Sequence, residues 1–293
     1  MLAHLGSGSC HIAKLSAGGL AICGYCQLCS VIAVISGTGI MRNRFVVILL
    51  IFCTCPVFSL SAQALQVLVG MNKPPYIQIE TADGYEIELL RALVKRMGAT
   101  AEFTHVPNKR IQSLLQQNIG DMATLQPLKA NEPGLYYSCP YIRYQNVVVS
   151  LEVQQLSINS LSDLKNLSVL AFQNASAALG DEFRDIAKQS FKYRETVEQR
   201  TQVESLHKMR VQAVVMDINI FYYHHDKIDP PQQVQVHPLF TPSYYRVAFR
   251  DKKLADAFNQ ALQQFWQSPE YQQLQQRYLI SDQSSVQAQC PVI

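Results

Sequence analysis

The sequence predicts an α/β fold of two similar lobes, each built on a parallel-rich sheet, joined by two hinge crossovers. Short strands of branched residues alternate with amphipathic helices from Leu65 onward, as parallel sheets require. This alternation restarts after the strand-like segment 146–151, and no Gly- or Ser-rich linker separates the two series. The 293 residues of the chain are enough for two lobes of ordinary size.

The composition is that of a folded protein without a strong charge. Apolar residues make up 48% of the chain and charged residues 16%, and the formal net charge is +3. Disordered chains have fewer apolar residues and a higher net charge. Lys and Arg are scattered along the sequence, whereas nucleic-acid-binding domains gather them on one face. We therefore expect no nucleic-acid partner.

Residues 41–64 have the three parts of an export signal. A positive start at 41–44 precedes an apolar stretch, and Ala-Gln-Ala at 62–64 fits the small-residue cleavage pattern. The apolar stretch is shorter than the roughly 20 residues that span a bilayer, which favours a cleaved signal peptide over a membrane anchor. We expect a periplasmic location, with residues 1–40 as an over-extended N-terminus.

The cysteines are concentrated before residue 56. Cys53 and Cys55 follow Phe and Thr rather than small residues, so lipidation is not expected. The run Cys23-x-x-Cys26-x-x-Cys29 has the spacing of metal ligands, but a fourth ligand and a folded context are not evident, and we predict no metal there.

The first lobe begins with a strand at 65–71, which ends at two prolines because proline cannot extend a ladder. An amphipathic helix follows at 86–98, with apolar residues at helical spacing and a glycine at its end. A strand at 101–106, a helix at 111–119 and a third short element after Asp121 continue the alternation.

The second lobe repeats this architecture without repeating the sequence. We assign 65–151 and 244–293 to the first lobe and 152–243 to the second, with crossovers near 147–151 and 245–249. The elements predicted after residue 151 are a helix at 161–167, a strand at 168–172, a helix at 175–189, a strand at 191–195, a helix at 197–209, strands at 213–217, 235–240 and 244–250, and helices at 254–267 and 268–279.

Five segments carry a family resemblance: LQVLVGMNKPPYI, GYEIELLRALVKRMG, YYSCPYIRYQNVVVS, SLSDLKNLSVLAFQNASAA and AVVMDINIFYYHH. In this order they resemble bacterial extracellular solute-binding protein family 3, the receptors of polar amino-acid ABC importers, over residues 65–279. The resemblance implies the type II periplasmic binding protein fold. It also implies a monomer that closes by hinge motion around a small solute, with an ABC permease as its partner.

The chain departs from this family at one point. In the better known receptors, a Thr-x-x-Arg-like segment clamps the ligand carboxylate, because a guanidinium makes two parallel bonds to it. The matching stretch here, residues 124–138, contains no Arg. The sequence thus resembles a divergent branch in which Arg110 opens the second helix, and the departure argues against the usual clamp on an α-amino acid.

Tyr76 and Asp217 are the leading candidates for ligand contact. Tyr76 follows the first strand, at the sheet edge where open α/β folds bind ligands, and the resemblance implies contact with the ligand's apolar part; a core tyrosine is the alternative. The resemblance implies that Asp217 receives a ligand ammonium, whereas an N-cap is its alternative role. The other candidate ligand-binding residues are Tyr85, Arg110, Thr124, Lys129, Gln173 and Ser176.

Two further interpretations concern these candidates. Gln173 and Ser176 lie between a strand and a helix, where free N–H groups attract an anionic oxygen. The resemblance places Tyr85 and Glu86 near the mouth of the cleft, whereas an acid at the start of a helix is often only a partner of the helix dipole. Cys139 and Cys290 are the two cysteines beyond residue 64, and in an oxidising compartment they can pair, but the sequence leaves their pairing open.

We predict a binding protein that captures a small amino-acid-like solute, and not an enzyme. The chain has no Gly-x-Ser-x-Gly, His-Glu-x-x-His or phosphate-loop motif, and no cofactor is expected. His224 and His225 are adjacent on a predicted helix and point in different directions, so no metal site is predicted. Two alternatives stay open: a periplasmic ligand sensor without a transporter, and a cleft enzyme of the cyclohexadienyl dehydratase type.

Overall fold

The computed structural model describes residues 31–34, 48–51, 63–190, 192–281 and 283–290. The chain divides into two compact units, one ending at Ser61 and one beginning at Ala62. In the first unit, strands β1 (Val31–Val34) and β2 (Ile48–Ile51) pair antiparallel. Most of the predicted signal peptide and all cysteines before residue 56 lie outside the described residues.

The second unit contains two sheets. The strands of the first sheet are β3 (Ala64–Val69), β4 (Thr100–His105), β5 (Met122–Pro127), β6 (Tyr136–Tyr137), β7 (Ile142–Tyr144) and β13 (Ser243–Phe249). Their order is β4-β3-β5-β13-β6, and β7 also pairs with β13. β3 runs parallel to β4 and β5, and β13 runs antiparallel to β5.

The second sheet has the order β10-β9-β11-β8-β12. Its strands are β8 (Asn146–Leu151), β9 (Val169–Phe172), β10 (Tyr193–Thr196), β11 (Ala213–Asp217) and β12 (Val234–His237). β9 runs parallel to β10 and β11, whereas β8 runs antiparallel to β11 and β12. The carboxyl ends of β9, β10 and β11 therefore meet at one edge of this sheet.

The chain passes between the sheets twice, first at Gln145 and then at residues 238–242. The predicted lobe boundary after Leu151 therefore moves to Gln145, because β8 hydrogen-bonds along its length to β11 and β12. The second crossing likewise precedes the predicted segment 245–249, which lies within β13 of the first sheet. The two-lobed α/β fold with parallel-rich sheets is confirmed.

Nine α-helices are described in the second unit. They are α1 (Tyr85–Arg96), α2 (Asn108–Gln116), α3 (Ala175–Ala178), α4 (Asp181–Gln189), α5 (Gln199–His207), α6 (Ile218–His225), α7 (Lys252–Trp266), α8 (Pro269–Arg277) and α9 (Ser284–Ala288). The predicted helix 175–189 is split into α3 and α4 because Gly180, with φ +97°, breaks it. The predicted helix 161–167 is a 3-10 helix at Leu161–Asn166.

The helices cover the sheets with their apolar faces. In α1 the apolar residues Ile87, Leu90, Leu93 and Val94 are all buried, as their spacing predicts. Sequence analysis missed β6, β7 and α9, which are short and carry little periodicity. Among the described residues, no helix combines the length and apolarity needed to cross a membrane.

A disulfide joins Cys139 and Cys290, whose Cα atoms are 4.9 Å apart. It ties the segment that contains α9 to the loop between β6 and β7. The same segment contacts the first crossing, because Gln283 accepts a hydrogen bond from the Arg143 N–H at 2.8 Å. The C-terminal segment is thereby fixed next to Gln145.

Candidate functional site

The loop between β3 and α1 places Tyr76 beside the start of α1. The Pro75 carbonyl accepts from the Tyr85 N–H at 2.9 Å, and the Tyr76 carbonyl accepts from the Glu86 N–H at 2.9 Å. Gly84 precedes the helix with φ +117°, and a Cβ there would collide with the Tyr76 carbonyl. Only glycine fits this position without strain.

Side-chain hydrogen bonds of Tyr76 and Tyr223 connect the lobes across the cleft between the sheets. The Tyr76 hydroxyl donates to Asp217 Oδ1 at 3.0 Å and accepts from the Asn219 amide at 2.7 Å. The Tyr223 hydroxyl donates to Gln78 Oε1 at 3.0 Å. Tyr76 and Gln78 follow the first strand of the first sheet, whereas the other three residues lie at the end of β11 or on α6. This cleft is therefore the place where side chains of both lobes meet.

Asp217 accepts hydrogen bonds from donors of both lobes. Oδ1 accepts from the N–H groups of Asn219 at 3.0 Å and Ile220 at 3.2 Å, which makes Asp217 the N-cap of α6. Oδ2 accepts from the Gln145 N–H at 2.8 Å, at the first crossing. Together with the Tyr76 hydroxyl, these donors use the roughly four acceptor positions of a carboxylate.

Burial raises the pKa of Asp217 to about 6, although the hydrogen bonds that it accepts oppose this shift. A buried carboxylate is costly in its charged form, and each donor reduces the cost. The predicted bond from Asp217 to a ligand ammonium stays a prediction, because it requires that the ligand replace one of the present donors.

Glu86 is the second buried carboxylate of the cleft. Its Oε1 accepts from the Tyr141 hydroxyl at 2.6 Å and its Oε2 from the Tyr144 hydroxyl at 3.1 Å. Burial raises the pKa of Glu86, and the Lys73 ammonium and the neighbouring hydroxyls, including that of Thr124, oppose the rise. Two of its four acceptor positions are used by these tyrosines, so Glu86 retains capacity for a cationic donor.

Three tyrosine rings pack beside these carboxylates. The centroids of Tyr76 and Tyr144 are 4.3 Å apart, and Tyr245 meets Tyr144 edge to face at 5.4 Å. The Lys73 ammonium lies 4.3 Å from the centroid of the Tyr144 ring, which is cation–π distance. Burial lowers the pKa of Lys73, and the two carboxylates, Glu86 first, oppose that shift. We call these residues the cleft cluster: Lys73, Tyr76, Glu86, Tyr144, Asp217 and Tyr245.

The start of α3, where we predicted an anion site, is occupied by a carboxylate of the chain itself. Glu195 accepts from the N–H groups of Asn174 at 2.6 Å and Ser176 at 2.9 Å, and from the Tyr193 hydroxyl at 2.7 Å. Partial burial would raise the pKa of Glu195, but these hydrogen bonds outweigh it and lower the pKa. Glu195 therefore already satisfies the donors expected to attract a ligand anion.

The remaining predicted residues are placed away from the cleft cluster or on the surface. Arg110, Lys129 and Gln173 are exposed. Tyr85 is fully buried, and its hydroxyl lies beside Tyr271 of α8. Of the predicted ligand-binding residues, the structure brings together Tyr76, Thr124 and Asp217.

Sequence reasoning missed Lys73, Tyr144 and Tyr245, and it left Glu86 undecided between a position near the cleft mouth and a partner of the helix dipole. A signal was present, because Lys73 shares the proline-containing loop with Tyr76. Tyr144 is adjacent to the first crossing, where side chains of both lobes converge. Within the described residues, no group of three His, Cys, Asp or Glu side chains is arranged to hold a metal ion.

Two lobes, two crossings and a cluster of polar and aromatic side chains between the lobes define a type II periplasmic binding protein. The model of the family "Bacterial extracellular solute-binding proteins, family 3" matches residues 65–281. The chain belongs to this family. A comparison with curated proteins finds no significant match.

Solved structures share the fold at low sequence identity. The GluR0 ligand-binding core in complex with L-glutamate has a TM-score of 0.60 at 20% identity, covering 75% of this chain and 99% of that chain. An ancestral arginine-binding protein bound to arginine has a TM-score of 0.58 at 22% identity, covering 74% and 99%. A histidine kinase sensor domain has a TM-score of 0.60 at 17% identity, covering 75% and 97%.

Proposed function

We propose that this protein is an exported periplasmic receptor that captures a small amino-acid-like solute between its lobes and presents it to an ABC permease. The cleft cluster is the observation that carries this proposal. It joins two buried carboxylates, a lysine and three tyrosines drawn from both lobes. Burying charged groups is costly, and clusters of buried titratable groups in a cleft are typical of functional sites.

The bonds across the cleft support capture by hinge closure. Tyr76 reaches Asp217 and Tyr223 reaches Gln78 only when the lobes are together. In the part of the chain that the structure describes, two short crossings connect the lobes, which is the arrangement that permits rigid lobes to open and close. A solute that contacts both lobes shifts this equilibrium toward the closed form.

The first test is a thermal-shift screen of the protein isolated after expression of the full chain. The panel holds amino acids, amines, short peptides and organic acids. A ligand that binds only the folded state must raise the melting temperature, by an amount set by its concentration relative to Kd. A concentration-dependent rise with one class, matched by calorimetric binding to one site per monomer, supports the proposal. No rise with any class contradicts it.

Experiments in cells distinguish a role in transport from a role in sensing. A sensor role has one specific observation in its favour, namely that a histidine kinase sensor domain shares the fold. If the protein serves an importer, deletion of its gene abolishes high-affinity uptake of the radiolabelled ligand found in the screen. Unchanged uptake with a lost transcriptional response favours the sensor.

We propose that the protein binds its ligand without chemical turnover. Product analysis after incubation of the ligand with the protein tests this.

A further inference from the structure

We propose that the cleft binds a small organic ammonium ion that lacks a carboxylate, at the position that the Lys73 ammonium occupies in the structure. This inference rests on the proposed function, because it names the class of solute for the same cleft. The ligand amine replaces an internal cation, and Lys73 leaves the cluster when the ligand enters.

The first step of the argument is the charge of the cleft cluster. Glu86 and Asp217 are two buried carboxylates, and Lys73 is the ammonium group that faces them. With all three ionised, the cluster carries one net negative charge. A ligand cation lowers the electrostatic cost of the two carboxylates, whereas a ligand carboxylate adds a third like charge.

The second step concerns cations that could hold a ligand carboxylate: the two predicted ones are exposed, and two further arginines contact groups outside the cleft cluster. Arg110 and Lys129 are exposed. The Arg143 guanidinium contacts the Ser285 hydroxyl of the C-terminal segment at 3.3 Å. The Arg246 guanidinium donates to the Leu128 carbonyl at 2.7 Å and stacks over another ring outside the cluster.

The third step is that the chain fills its own candidate anion position. The backbone donors of Asn174 and Ser176 both bind the Glu195 carboxylate. A ligand carboxylate at this point would meet a carboxylate already in place. The second lobe therefore carries a carboxylate at the start of α3, Glu195, and another at the start of α6, Asp217.

The fourth step is the shape of the cation position. The Lys73 ammonium lies 4.3 Å from the Tyr144 ring centroid, and Tyr144 is itself flanked by Tyr76 and Tyr245. Faces of aromatic rings beside a carboxylate are a setting that binds organic ammonium ions. Glu86, which uses only two acceptor positions on tyrosines, supplies the charge. Lys73 thus shows where an ammonium group is stable in this cleft.

The test compares amines with the amino acids that carry one additional carboxylate. The pairs are 1-aminobutane with norvaline, 1,5-diaminopentane with lysine, and tyramine with tyrosine, each titrated calorimetrically into the protein from the full chain. Binding of at least one amine with no binding of its amino-acid partner is the expected result. Tighter binding of the amino acids overturns the inference while leaving the proposed function standing. Failure of every amine and every amino acid contradicts both.

Substitution of Lys73 distinguishes two roles of this lysine by the direction in which ligand affinity changes. In Lys73→Met the apolar stem stays and the competing ammonium is removed, so amine affinity should rise about tenfold, the effect of one strong cation–π and charge contact. If Lys73 instead holds a ligand carboxylate, the same change lowers affinity. The matched control is Lys165→Met, at an exposed lysine in the 3-10 helix of the second lobe, which should leave affinity unchanged.

A labelling experiment on the unsubstituted protein keeps the inference testable if Lys73→Met does not fold. Acetylation of lysines with and without amine is followed by mass spectrometry. Displacement of Lys73 by the bound amine exposes it and raises its acetylation rate, while the rate at Lys165 stays constant. A lowered rate at Lys73 in the presence of ligand overturns the inference, because it shows that ligand covers this lysine.

Discussion

At the scale of single residues, Asp217 couples the stability of the fold to pH. Its pKa is raised from 3.8 to about 6 in the folded protein, mainly by burial. The folded state therefore binds a proton more tightly than the unfolded state. The stability that comes with this proton is present below the unfolded pKa and is lost as pH rises through the folded pKa.

We expect the Asp217→Asn substitution to remove this loss of stability with rising pH. Between pH 4.5 and pH 7.5 the unsubstituted protein should lose about 2 kcal/mol of unfolding free energy relative to the variant, because most of the loss falls between the unfolded and folded pKa values. Urea denaturation at both pH values gives the difference directly, and the other titrating groups cancel because both proteins share them. Parallel pH profiles for the two proteins would show that Asp217 titrates normally.

Substitutions of Glu195 test whether the N–H donors at the start of α3 bind this carboxylate or can bind a ligand anion instead. Glu195→Ala removes the acceptor for the Asn174 and Ser176 N–H groups and should lower the unfolding free energy by about 1 kcal/mol, as for a lost helix cap. Glu195→Gln keeps one oxygen and should recover part of it. Amine affinity should be the same in all three proteins. A gain in affinity for amino acids in Glu195→Ala would show that these donors can serve a ligand anion.

At the scale of elements, Gly84 sets the position of the loop that carries Tyr76. Gly84→Ala forces a Cβ against the Tyr76 carbonyl at a positive φ and should cost about 1–3 kcal/mol of unfolding free energy. Because Tyr76 and Glu86 move with this loop, ligand affinity should fall as well. Gly98→Ala is the control, since Gly98 has a positive φ in open space. Equal effects of the two substitutions would contradict the clash.

The disulfide holds the C-terminal segment against the first lobe. Replacing both Cys139 and Cys290 with Ser should lower the unfolding free energy by about 2–4 kcal/mol. Thermal melts with and without reductant measure the effect. Reductant should bring the unsubstituted protein to the melting temperature of the double variant and leave the variant unchanged. If the double variant also responds, other cysteines account for the effect.

The same elements show what the sequence can and cannot predict. Strand β8 was predicted with its observed bounds, because its run of branched apolar residues, nearly all of them buried, is a strong local signal. Its membership of the second sheet was not predicted, since pairing with β11 and β12 depends on residues more than 60 positions away. The roles of Lys73 and Glu195 were missed for the same reason. Their partners, Tyr144 and Asn174, are near them only in the folded chain.

At the scale of the whole molecule, the hydrogen bonds of the Tyr76 and Tyr223 hydroxyls across the cleft should hold the lobes together. A hydrogen bond contributes about 0.5–1.5 kcal/mol, so the loss of the three bonds that these two hydroxyls make lowers the ratio of closed to open molecules by roughly ten- to two-thousandfold. We therefore expect the double variant Tyr76→Phe, Tyr223→Phe to have a larger radius of gyration than the unsubstituted protein in small-angle X-ray scattering. The rings remain, so packing is conserved.

Addition of 1,5-diaminopentane should return the variant toward the smaller radius, at a higher ligand concentration than the unsubstituted protein requires. This follows because a ligand must supply the closing free energy that the two hydroxyls no longer provide. Tyr136→Phe, at an exposed tyrosine of β6, is the matched control and should leave the radius unchanged. A double variant that stays as compact as the unsubstituted protein would show that packing between the lobes, rather than these hydrogen bonds, sets the closed form.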